Sequence, residues 1–143
     1  MTTTFRQDFR AGLFSVISTY QAANPTLLLH VYDYPPESYN TPCAYIEKAI
    51  PEAMEHDSGT RRRVLTGQIV IVNKHISNAQ ATHEQDVLID GLIDALTATP
   101  HAASASTLTE PTGVTEVPIA DPNGGQYSGA VIAVKGAIQE GRN

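Results

Sequence analysis

Phe5, Phe9, Leu13, Val16, Ile17 and Tyr20 recur at three- and four-residue intervals, which predicts an amphipathic helix along the start of the chain. Thr4 and Gln7 have the spacing of a capping box at its entry, and Asn24-Pro25 ends it. Leu27-Leu28-Leu29-His30-Val31-Tyr32 is short, apolar and rich in strand formers, and predicts a buried strand. A Pro-rich loop follows at 33–42, and Cys43-Ala44-Tyr45-Ile46-Glu47 predicts a second strand. Residues 51–60 are charged and uneven and read as a connection, with a turn at Ser58-Gly59.

A long third strand is predicted over 63–73. Leu65, Gly67, Ile69 and Ile71 form a mostly apolar face there, and Val64, Thr66, Gln68, Val70 and Val72 a mixed one, as suits a central strand covered by helices. Thr82-His83-Glu84-Gln85 repeats the capping-box spacing. It is followed by Val87, Leu88, Ile89, Leu92, Ile93 and Leu96, a broad helical face that Pro100 terminates. The Ala, Ser and Thr of 101–111 predict a flexible loop, 113–119 a strand, Asp121-Pro122-Asn123-Gly124-Gly125 a turn, and 127–139 a last strand. In that strand Ser128, Ala130, Ile132, Val134 and Ile138 share one side. The order predicts one α+β domain over 1–143, a mostly antiparallel mixed sheet with two main helices packed on it.

Composition narrows the function more than the fold. At 143 residues the chain is a single-domain length, able to bury about two thirds of its unfolded surface without a metal or disulfide staple. Its longest aliphatic run, Ile69-Val70-Ile71-Val72, is too short to cross a bilayer, and its first residues have no signal-peptide core, so the expected location is the cytoplasm. A single cysteine, Cys43, predicts a small buried hydrophobe rather than a disulfide, zinc or redox pair. The net charge of -6 argues against broad binding to nucleic acid or anionic membrane.

Catalytic signatures are sparse. There is no Walker loop and no Gly-x-Ser-x-Gly elbow, and the five histidines lack helical metal-ligand spacing. The expected description is a non-enzyme without cofactor or metal. Three features invite a contact role instead. Asp86, Asp90 and Asp94 lie at four-residue steps on one side of the second helix, as a solvated acidic face, a site for a basic partner or, last, a cation site, for which an Asp stripe alone rarely completes the oxygen cage. Arg61, Arg62 and Arg63 make a local positive point, either a blunted strand end or a contact for acid or phosphate. Tyr34, Pro35, Pro36 and Tyr39, near Tyr32 and Tyr45, suit a contact surface or a loop packed back on its own domain.

Taken together, the chain resembles the tail terminator (tail completion) proteins of long-tailed bacteriophages. The likeness is one of element order: a capped leading helix, 27–32, the loop Tyr34-Pro35-Pro36 leading to Thr41-Pro42-Cys43-Ala44-Tyr45-Ile46, 64–73, the helix 86–96, and 127–134. The resemblance implies an α+β subunit of a homohexameric ring at the head-proximal end of the tail tube, made in the host cytoplasm and carried in the virion neck. Its implied partners are other copies of itself, the tail tube protein and the head-tail connector protein, with transient contact to DNA in the channel and none with membrane. In such a ring Arg61, Arg62 or Arg63 is expected to meet Asp86, Asp90 or Asp94 of the next subunit. Another head-tail joining protein, connector or stopper, or a small enzyme or ligand-binding domain built on Asp86, Asp90 and the histidines, are the alternatives.

Overall fold

The computed structural model describes residues 5–57, 60–75, 79–103, 107–120 and 126–141. Helix α1 spans Phe5–Ala23 and α2 spans Ala79–Thr97. The strands are β1 (His30–Tyr32), β2 (Cys43–Ile46), β3 (Glu52–Asp57), β4 (Thr60–His75), β5 (Thr107–Ala120) and β6 (Gln126–Gly141). They form one six-stranded sheet in the order β1-β2-β4-β6-β5, with β3 paired to the early part of β4. Only β1 and β2 are parallel. The α+β architecture is therefore the expected one, a mostly antiparallel mixed sheet carrying two helices.

Both helices cover the same face. The apolar face of β4 (Leu65, Ile69, Ile71) and that of β6 (Ala130, Ile132, Val134) share one core with Phe9, Leu13 and Ile17 of α1 and Leu88, Leu92 and Leu96 of α2. Phe9 fills the middle of this layer because two neighbouring strands present glycine beneath it. Its ring lies where a Cβ on Gly67 or Gly136 would stand, 2.8 Å from the Gly67 position. Gly12 lets α1 approach the chain after α2 in the same way, since a Cβ there would come 2.7 Å from the Ala102 backbone. The opposite face carries a smaller cluster of Cys43, Tyr45, Val70 and Val72, against which Tyr32, Tyr39, Ile119, Tyr127 and Val131 pack.

Several element boundaries differ from expectation. Residues 52–57 are a strand, not part of a connection, because they pair antiparallel with β4 from Glu52 opposite Leu65 to Asp57 opposite Thr60. The Ser58-Gly59 turn, the Asp121–Gly125 turn and the Thr4 cap lie outside the described residues. The first expected strand is confined to His30–Tyr32, since Leu27 and Leu28 donate their amides to the Asn24 carbonyl in a turn that closes α1. Asn24 itself donates through Nδ2 to the Tyr20 carbonyl. Helix α2 already exists at Ala79, so Thr82 stands within it rather than capping it, and Val87 faces solvent, 39% exposed.

The expected flexible loop at 101–111 is also corrected. From Thr107 onward the chain is β5, paired with β6, and Thr107 and Thr109 are buried. The amide of Thr109 donates to the Pro100 carbonyl at 2.7 Å, and His101 Nδ1 lies 3.1 Å from the Thr107 carbonyl. The strand expected at 113–119 is the second half of this longer one. A register shift between Pro111 and Gly113 inserts one extra residue, so the face turned to the helices changes from odd positions to even ones.

Candidate functional site

That shift determines which side chains β5 offers to α2. After it, Val114, Glu116 and Pro118 sit opposite Ile132, Ala130 and Ser128 of β6, the strand residues that face the helices. The first turns of α2 lie over them and leave an open cleft of about 250 Å³ lined by Thr82, Gln85, Glu116, Val117, Pro118, Ser128 and Gly129. A second groove of about 390 Å³ shares Glu116 and is lined by Asp86, Ile89, Asp90 and Val114. Two helical carboxylates one turn apart, roughly 6 Å between their Cβ atoms, thus share a groove with a third from the sheet.

Glu116 is common to the two spaces, and Gln85 lines the first. Gln85 is buried, and its Nε2 donates to Glu116 Oε1 at 3.1 Å and to the Gly129 carbonyl at 3.3 Å. Its Oε1 is buried without a hydrogen-bond partner. Turning the amide over would set that oxygen against the Glu116 carboxylate and strand the NH2 group, so the orientation follows from the neighbours. Chemically the second groove offers three carboxylates as acceptors beside the aliphatic side chains of Ile89 and Val114. Among the described residues, no group of three or more His, Cys, Asp or Glu side chains is arranged to hold a metal ion.

Of the acidic stripe expected from the sequence, Asp86 and Asp90 belong to this groove, whereas Asp94 is exposed on α2 and does not line it. Gln85 and Glu116 were not legible as site residues. Glu116 sits in an alternating strand segment whose facing depends on the shift at Thr112, and the flanking Pro111 and Gly113, residue types found at bulges, read instead as the boundary between a loop and a new strand.

The three arginines are placed at the opposite end of β4, on the β3–β4 hairpin. Arg63 lies on the helix side, its guanidinium 5.0 Å from the centre of the Phe5 ring. Its Nε and Nη2 donate to the two oxygens of Glu52 at 2.7 and 3.2 Å. Arg6 of α1 reaches the same carboxylate at 2.8 Å and the Ile50 carbonyl at 2.7 Å. These guanidinium groups hold the Glu52 carboxyl below its ordinary range, Arg63 contributing most. Arg62 pairs with Glu55 at 3.0 Å on the helix-free side. Much of the positive charge expected here is thus matched by carboxylates of β3, and Arg63 acts as a tie between α1 and the hairpin. The structure brings the arginines and the aspartates to separate ends of one subunit.

The Tyr/Pro loop divides between the two readings. Tyr39 packs back on the domain, stacked on Tyr45 at 6.1 Å and edge-on to Tyr127 at 5.7 Å. Tyr34 projects outward, 60% exposed, with Pro35 and Pro36 half-buried beside it. Arg10 secures the loop's entry and the end of β2 by donating to the Asp33, Glu47 and Lys48 carbonyls at 3.1, 3.3 and 2.7 Å. Beneath this loop burial pushes the Cys43 thiol up to about 11, so almost none of it is thiolate at neutral pH, and it is the buried hydrophobe expected. Burial together with the Tyr39 hydroxyl likewise holds the Tyr45 phenol protonated well above its usual range.

No protein-family model matches the sequence, and no curated protein matches it. No helix among the described residues is long and apolar enough to cross a membrane.

Proposed function

We propose that the protein is a structural subunit of a bacteriophage particle, a non-enzymatic tail terminator that assembles as a homohexameric ring on the head-proximal end of the tail tube. In this role it ends tube growth and offers a docking surface to the head-tail connector, first in the host cytoplasm and then in the virion neck. Two things support the reading: the order of elements that resembles this family, and the placement of two open sheet edges on opposite sides of one subunit.

The second observation carries the argument. Among the described residues β3 pairs only with β4 and β5 only with β6, which leaves the outer edges of β3 and β5 unpaired there, on different sides of the sheet. A closed ring uses two different patches of each subunit, one meeting the other on the next copy. The β3 edge carries exposed Met54 at 56%, and the β5 edge carries Val114 at 40% beside the acidic groove. Pro111 and Pro118 on β5 limit indiscriminate strand pairing, as on other managed edges.

The internal pairing of Arg62 and Arg63 alters the ring contact expected from the sequence. Contact with Asp86 or Asp90 of a neighbour, or with DNA in a channel, would draw first on whatever charge Glu52 and Glu55 leave unmatched. The Tyr34 loop is the proposed surface for tube or connector.

Adding the purified protein to polymerising tail tube protein of the same virus tests the proposal. Tubes are expected to become shorter as the protein is titrated in, with extra density at one end only. An unchanged length distribution with bare ends contradicts it.

A further inference from the structure

The hydrogen bonds beside the β3 and β5 edges fix which backbone groups those edges offer. The Thr66 amide donates to the Pro51 carbonyl at 2.9 Å, so odd positions of β3 bond inward to β4. Glu52, Met54 and His56 therefore turn their N–H and C=O groups away from β4. On β5 the Thr109 amide points outward and is taken by the Pro100 carbonyl, which covers the first half of that edge from within the chain. Past the register shift, Pro118 stands opposite Ser128 with no N–H to give, so the even positions Val114 and Glu116 face outward there. Met54 and Val114 are both exposed, and both stand on the helix side of the sheet, opposite Arg63 and Ile132.

We infer that copies of this chain join by strand pairing, β3 of one lying antiparallel along 114–118 of β5 in the next, which rests on the ring proposed above for the presence of that neighbour. The two sheets then run on as one, with all helices on the same face. Strand direction fits this occupant. β3 runs opposite to β4, β4 to β6 and β6 to β5, so β3 and β5 point in opposite directions at opposite edges. A rotation about an axis along the strands keeps those directions and brings the two edges together antiparallel. The outward positions of both edges carry their side chains on the helix side, so paired residues share one face. Charge fits it as well. By sequence, α2 and β5 hold Glu84, Asp86, Asp90, Asp94, Glu110 and Glu116 and no Lys or Arg. The hairpin end has the opposite excess, with Arg6, Arg61, Arg62 and Arg63 against Glu52, Glu55 and Asp57. Setting Glu52 opposite Glu116 would bring like charges face to face. Met54 opposite Glu116 avoids that, with His56 across from Val114 and Glu55 across from Thr115.

Disulfide trapping of the full chain tests the join. Glu55→Cys and Thr115→Cys proteins are mixed while dilute, concentrated and mildly oxidised. A cross-linked dimer about 10-fold or more above that of either variant alone is expected, because antiparallel pairs of this type hold their Cα atoms about 4.5 Å apart, within disulfide reach. Cys43 is buried and does not compete. Met54→Pro removes one outward N–H from an open edge, and is expected to fold with an unchanged Tm but to associate about 10-fold more weakly or worse. In hydrogen exchange, the amides of Met54, His56, Val114 and Glu116 are expected to slow about 10-fold or more in the assembled protein relative to the dilute monomer, with Thr109 unchanged. Rings whose Met54 and Glu116 amides exchange as in the monomer, and which give no cross-link, overturn the inference and leave the ring reading standing. A folded Met54→Pro protein that assembles like wild type overturns it too. A chain that neither associates nor cross-links also overturns it, and the ring reading then turns on tube ends alone.

Discussion

Gly136→Val is expected to leave the protein largely unfolded at 25 °C. The Phe9 ring occupies the space where side chains at Gly136 and Gly67 would stand, on two hydrogen-bonded strands, and all three positions are buried. The ring has no free side to retreat to, because Leu13 lies against the same layer and α1 is held at its start by Arg6 and Phe5. Overpacking a filled core costs about 1–3 kcal/mol where side chains can adjust, and more where backbone must move. Here the whole helix would have to lift from the sheet, so most of the roughly 5–15 kcal/mol available to a domain is at risk. Phe9→Ala removes the ring instead and is expected to cost about 3–5 kcal/mol. Combining it with Gly136→Val is expected to recover part of the loss, because valine then fills the space that phenylalanine left. Urea unfolding of the four proteins checks this. Additive losses in the double variant would show that the two sites do not share that space.

The second large effect is at Arg63. Arg63→Met is expected to cost about 2–3 kcal/mol, because it removes a two-point hydrogen bond to a carboxylate and leaves Glu52 partly buried with Arg6 alone. The cost carries a pH signature. The folded-state pKa of Glu52 is depressed, so its contribution is full above the unfolded value near 4.5 and is lost as pH falls through the lower folded value. Thermal unfolding of wild type and Glu52→Gln across pH is therefore expected to show a gap at pH 6–7 that narrows below about pH 4. A gap that stayed constant into acid would mean that the carboxylate charge is not what ties α1 to the hairpin.

These two sites also show what the sequence makes legible. The helical period of α1 and the alternation of β4 are strong because each has one face on a single core, and Leu65, Ile69 and Ile71 read correctly as its inward side. Gly67 and Gly136 read only as weak points in strands, since their purpose is a ring more than fifty residues away in the chain for the one and more than a hundred for the other. Strand β3 escaped notice because Ala53, Met54, Glu55 and His56 are all exposed, so no alternation between buried and solvent sides exists to be seen. The first half of β5 read as a loop because Thr107 and Thr109, its inward residues, are polar and small.

The candidate site was half legible for a related reason. Four-residue steps placed Asp86 and Asp90 on one side of α2 whatever the fold. Their partners Gln85 and Glu116 depended on the β5 shift and on where α2 crosses the sheet, both set by tertiary packing. The arginines read as a free positive point because their counter-charges, Glu52 and Glu55, lay in a segment not recognised as the paired strand.

The most direct measurement of the proposed role is electron microscopy of the purified protein in negative stain over a concentration series, with native mass determined on the same samples. The account predicts closed rings of one subunit number, six, whose population rises with concentration. Particles that stay monomeric at every concentration, both alone and with tail tube ends supplied as a template, would contradict it.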